Sequence, residues 1–340
     1  MSATGIGAAV RRKEDRRFIT GKGHYTDDIS RPGQAAIYFI RSPHAHAKIK
    51  SIDTKAAAGM PGVAGVFTGA QFAQDKLGNL ICGWTVLSKD GSPMKMAPHP
   101  ALATDKANHV GDGVAVVIAD TLAQAKDAAE KVVVDYEVLP AVVDPAKAAA
   151  KGAPLIHDAA PNNTIYNWHL GDAGATGAAL KSAKHVTTLE FINNRLVPNA
   201  MEPRAAIAEY DAASGNLTLW NASQNPHVAR LVIAAFVGIA PENKLRVIAP
   251  DVGGGFGSKI FIYPEEVVCL WAARKLDRPV KWTCERSESF ITDAHGRDHV
   301  TKAQMAFDAD GKITGLKVHT IANLGAYMST FSSAVPTFLY

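Results

Sequence analysis

The chain has 340 residues, 47% of them hydrophobic and 20% charged, a composition of globular proteins with room for two or three domains. A net charge of +4, from 36 basic and 32 acidic residues, is too small a surplus to imply nucleic acid, and no apolar run approaches the roughly 20 residues a bilayer requires. Three widely spaced cysteines, Cys82, Cys269 and Cys284, form no CxxC, which argues against a disulfide framework or a cysteine-rich metal site and fits a reducing, cytoplasmic compartment.

Residues 1–22 read as an extended polar arm. Its basic cluster, Arg11, Arg12, Lys13, Arg16 and Arg17, is either solvated or docks on an acidic partner. No apolar stretch follows, so no secretory signal is expected. A first domain is expected over 23–143, with short strands at 36–40 and 63–67 and a buried one at 114–118. A helix capped by Asp120 or Thr121 runs to about Glu130, and a strand at 132–134 completes a β-α-β unit. Residues 81–100 are loop. The Ala-, Pro- and Asn-rich stretch 144–164 reads as a linker. Beyond it, 165–340 carries strands at 187–191, 205–210, 217–220, 245–249 and 280–283. A helix starts at Asn225-Pro226 and closes at Gly238, and a second, Pro-started helix covers 264–276 with Cys269 in its core. Strands at 300–307 and 313–321 form a hairpin through Asp308-Ala-Asp-Gly311.

The most informative segment is Asp251-Val-Gly-Gly-Gly-Phe-Gly-Ser-Lys259. Glycine reaches φ > 0 freely, and successive N–H groups turned to one side form a nest for an oxyanion. The loop is not a P-loop, because Ser258 precedes Lys259 where Gly is required, and the same serine breaks the dinucleotide fingerprint. A tight loop without ligand and a mononucleotide site of another type are the alternatives. Gln224, at a strand–helix junction, has an amide that can donate to an oxo or phosphate oxygen or bond local backbone. Phe256 either walls off water or anchors the loop in the core. Lys259 either adds charge to an anion site or is solvated. Glu202 and Arg204 are expected to pair with each other, and Glu265-Glu266 to favour the helix dipole. His44 and His46, and His295 and His299 at helical spacing, lack a third ligand nearby, so no protein-held metal is expected.

The glycine segment resembles the GGGFG loop of the xanthine oxidase family, in its molybdopterin-binding large subunits of the carbon monoxide dehydrogenase and aldehyde oxidase type. RRKEDRRFITG at 11–21, RSPHAH at 41–46, VGDGVAVVIA at 110–119, PNAMEPR at 198–204 and SQNPH at 223–227 resemble the family's segments in the same order. The resemblance implies an α+β chain. An amino-terminal α/β hammerhead-like domain comes first, followed by the first, truncated molybdopterin-binding domain of mixed sheets and helices. It implies cofactor contacts from Gln224, Gly253, Gly254, Gly255, Phe256, Gly257 and Lys259, with Gln224 bonding an oxygen on molybdenum. The cofactor implied is molybdopterin, in its cytosine dinucleotide form, with a 2Fe-2S cluster and FAD carried by partner subunits. The general base and a carboxyl-terminal half are expected beyond Tyr340. The activity implied is oxidation of a small carbonyl, carbon monoxide or heterocycle with oxygen from water; a catalytically silent cofactor-binding or docking module is the alternative. Ile260 stands where purine-oxidising relatives carry Glu, which argues against a purine.

Overall fold

The computed structural model describes residues 5–339; residues 1–4 of the arm and Tyr340 lie outside them. In the first stretch the strands are β1 (Ala35–Arg41), β2 (Ala47–Asp53), β3 (Val63–Thr68), β4 (Lys106–Ala107), β5 (Gly113–Ala119) and β6 (Val133–Val138). In the second they are β7 (His185–Asn193), β8 (Ala205–Asp211), β9 (Asn216–Asn221), β10 (Leu245–Ile248), β11 (Val280–Thr283), β12 (His299–Phe307) and β13 (Ile313–Ala322).

One seven-stranded sheet, in the order β10-β9-β8-β11-β1-β5-β3, takes strands from both stretches. The join is a parallel pairing of β1 with β11, Ala35 opposite Val280 and Ala36 opposite Lys281. β5 (GVAVVIA) is buried at every position, which is why it reads as a continuous apolar run. It pairs antiparallel with both β1 and β3. The Pro264–Leu276 helix packs on one face of this sheet, and every residue from Glu265 to Ala273 is buried. Ala125 and Ala128, from the Leu122–Ala129 helix, cover Val117 and Ala119 on the other face. Two small sheets, β4-β2-β6 and β13-β12-β7, complete an α+β architecture.

Three sequence-based readings are corrected. The segments of the β-α-β unit form, but β5 and β6 lie in different sheets. β6 (VVDYEV) alternates half-buried and exposed residues and pairs antiparallel with β2, so no parallel crossover exists. The arm is not extended throughout, because Asp15–Ile19 is helical. The helix begun at Pro226 ends at Val232 and widens into a π-turn over Ile233–Val237, stopped by Gly238 at φ 73°. That left-handed residue is the terminator expected from the sequence.

Candidate cofactor-binding site

The glycine loop leaves the carboxyl end of β10, an edge strand parallel to β9. Gln224 follows β9 and precedes the Pro226–Val232 helix, so two adjacent strand ends bring it to the loop. Up to Phe256 the backbone alternates in hand, with Gly254 at φ 93° and Phe256 at φ 50° and Gly255 outside the left-handed region; Gly257 then stays left-handed at φ 91°. Such alternation turns consecutive N–H groups toward one side.

Both ends of the loop are tied by side chains. Gly253 N–H donates to Glu202 Oε2 at 2.7 Å, and Gly257 N–H donates to Gln224 Oε1 at 3.1 Å. Between them, the N–H groups of Gly254, Gly255 and Phe256 meet no acceptor among the described residues. Gly255 is buried. Leaving the buried Gly255 amide unpaired costs about 1–3 kcal/mol, and with half-buried Gly254 and exposed Phe256 on either side it gives a row of open donors suited to an acceptor-rich ligand. Because Gln224 Oε1 accepts from Gly257, its Nε2 is the free donor, and Nε2 has no partner among the described residues. At two of its glycines the cradle leaves no room for a side chain. A Cβ on Gly255 would lie 2.2 Å from Gln224 Oε1, and one on Gly253 would lie 2.5 Å from Glu202 Cβ. The donor set therefore fits the oxygen-rich pterin group that the resemblance implies.

The remaining site residues fall differently. Phe256 is 75% exposed, so it does not anchor the loop in the core; its ring folds over Gly254, whose Cβ would meet it at 2.9 Å. Lys259 is 2% exposed, and its Nζ donates to both the carbonyl oxygen and Oε2 of Glu202, each at 2.8 Å. Its ammonium is thus bonded to Glu202 inside the protein. Burial holds the Lys259 pKa below its ordinary value, with Glu202 countering.

Glu202 and Arg204 do not pair with each other. Arg204 instead bonds Glu265 Oε2 at 2.9 Å and Asp293 Oδ1 at 2.6 Å, and its guanidinium sits 3.7 Å over the Tyr263 ring. Glu265 and Glu266 do stand in the first turn of the Pro264–Leu276 helix, and Glu265 also bridges Arg41 and Arg204 in the interior. Asp251, at the loop's root, receives a bidentate ion pair from Arg17 and the His24 N–H. The basic arm thus docks, through Arg17, on its own chain. No local signal in the sequence announces these bonds, because the partners lie 51, 57 and 234 residues apart.

His295 lies in irregular backbone after the Arg286–Thr292 helix and His299 opens β12, so they share no helix face. Among the described residues no group of three or more His, Cys, Asp or Glu is arranged to hold a metal ion, and no helix is long and apolar enough to cross a membrane. Cys82, Cys269 and Cys284 are all buried and free.

Comparison with known proteins places this geometry. A family described as "Molybdopterin cofactor-binding domain" matches residues 156–340, and one described as "Aldehyde oxidase and xanthine dehydrogenase, a/b hammerhead domain" matches residues 20–140. The carbon monoxide dehydrogenase large chain of Hydrogenophaga pseudoflava is 38% identical over 93% of this chain and 39% of its own length. The nicotine 6-hydroxylase large subunit of Paenarthrobacter nicotinovorans is 35% identical over 95% of this chain and 38% of its own. The solved structure of quinoline 2-oxidoreductase from Pseudomonas putida 86 superposes with a TM-score of 0.87 at 35% identity, covering 95% of this chain and 40% of that one. The chain therefore spans about two fifths of the length of the relatives it matches.

Proposed function

The chain belongs to the xanthine oxidase family of molybdopterin cofactor-binding proteins, and on that premise we propose that its glycine loop and Gln224 hold the pterin cofactor of a molybdenum-dependent oxidoreductase. The observation that carries this reading is the run of three unpaired amides, Gly254, Gly255 and Phe256, beside the free Gln224 Nε2. These donors bind and orient the group's oxygens, while Gly253 and Gly257 hold the loop open from its two ends. The exposed Phe256 ring borders the cradle and excludes water on that side.

When bound, the group supplies the two-electron redox centre at which oxygen from water is transferred to a substrate carbon. We assign it the cytosine dinucleotide form, with a 2Fe-2S cluster and FAD on partner subunits and the cytoplasm as compartment. The substrate is a small carbonyl, carbon monoxide or a heterocycle other than a purine, since Ile260 follows the loop's lysine. The base and the rest of the substrate pocket are assigned to a companion segment. We propose a division at the 144–164 stretch, with the hammerhead-like unit before it and the cofactor-binding unit after it.

The test is the molybdenum and pterin content of the purified chain, alone and co-produced with a candidate companion segment. Wild type should retain both. Gly255→Ala, whose methyl would collide with Gln224, should lose them while keeping its circular dichroism. Full cofactor content in that variant overturns the site. Cofactor retained without turnover, even with the companion, favours the silent module.

A further inference from the structure

Glu202 and Lys259 form a buried pair that touches the loop without offering either charge to its open side. Two bonds join its members, and others tie it to the loop and to Gln224. Glu202 Oε2 takes the Gly253 N–H at 2.7 Å and the Lys259 ammonium at 2.8 Å. The ammonium also takes the Glu202 carbonyl at 2.8 Å. The Lys259 carbonyl accepts the Gln224 N–H at 2.8 Å, and Gln224 in turn accepts from Gly257. The circuit Gly253–Glu202–Lys259–Gln224–Gly257 therefore closes, and the three unpaired amides lie between its two ends. Glu202 Oε1 is buried with no hydrogen-bond partner, so the carboxylate is held by one oxygen alone.

From this closed circuit we infer that the Glu202–Lys259 pair is the positioning device of the cradle. It fixes the entry to the loop directly, and it acts on the exit through the Lys259 main chain, whose carbonyl takes the Gln224 N–H while the side chain is anchored on Glu202. This rests on the cofactor reading above, and it assigns to two residues that touch no ligand the control of how well the amides bind one. Partners one layer removed from a ligand set commonly change affinity by about 10–100-fold when lost.

Glycine-selective 15N labelling of the full chain gives signals from its 28 glycines, and inorganic molybdate serves as the oxyanion probe. In wild type, the Gly253 and Gly257 amides should exchange slowly, and molybdate should shift Gly254 and Gly255. Lys259→Met and Glu202→Gln should speed exchange at Gly257 as well as Gly253 and weaken molybdate binding about 10–100-fold. Glycines outside the loop should stay unchanged, and Lys259→Arg should restore part of the affinity. If Lys259→Met does not fold, Glu202→Gln and Lys259→Arg still carry the test. Unchanged Gly257 exchange and unchanged affinity in both variants overturn the positioning role while leaving the cradle intact. A wild-type loop that ignores molybdate overturns the cradle itself, and the positioning role with it.

Discussion

Arg204 shows how far a single residue's role departs from its sequence neighbourhood. It is 3% exposed and bonds two acidic partners, Glu265 and Asp293, so removing its charge leaves Asp293 without its cation and Glu265 with Arg41 alone. Breaking a buried ion pair from one side costs about 3–5 kcal/mol. Arg204→Met should therefore lower the unfolding free energy by that much, seen as a lower denaturant midpoint at unchanged slope, and a loss below about 1 kcal/mol would show the network to be dispensable. At this scale the sequence was partly legible. Glycines 253–257 and Gln224 stood out because their chemistry is local: φ > 0, bare backbone, an amide at a junction. The partners of Glu202, Lys259 and Arg204 were not legible, because a charge's partner is chosen by tertiary packing across tens of residues.

Among the elements, the Pro264–Leu276 helix is the one that most firmly supports the site-bearing sheet. Trp271 is fully buried, meets Phe67 and Phe72 edge to face at centroid distances of 5.2 and 5.1 Å, and donates its indole N–H to Asp75 at 2.6 Å. Trp271→Ala removes that volume and leaves the part-buried Asp75 carboxylate short of one donor, at an expected cost of about 3–5 kcal/mol by thermal or chemical denaturation. Trp271→Phe should recover most of the packing but not the hydrogen bond. Element types were readable from pattern: Pro264 at the helix start, unbroken apolar residues in β5, the Asp308–Gly311 turn between β12 and β13. Sheet membership was not, since β5 and β6 are both apolar-rich and nothing in either states which strand it will pair with.

The whole molecule carries two adjacent carboxylates whose environments pull in opposite directions. Burial works to raise the Glu265 pKa, yet Arg204 and Arg41 hold it down to about 2, below its ordinary 4.5. That stability is present above the ordinary value and is lost as pH falls from 4.5 toward 2. For Glu266, burial prevails and pushes the pKa up to about 7. Between 4.5 and 7 the folded chain keeps a proton that the unfolded chain has released, so stability falls as pH rises through that window. Glu266→Gln should remove this slope. Comparing unfolding free energies from urea titrations at about pH 5 and pH 8, the variant should gain on wild type by about 1–3 kcal/mol, and an equal difference at both would refute the assignment.

The ion pair between Arg17 and Asp251 spans 234 positions of sequence and ends two residues before the first glycine of the loop. Proteolytic nicking of the amino terminus, or a purification tag crowding it, would therefore be felt at the loop rather than only at the surface where the cut is made. Batches that differ only in how their leading residues were trimmed should differ in how firmly Asp251 is seated.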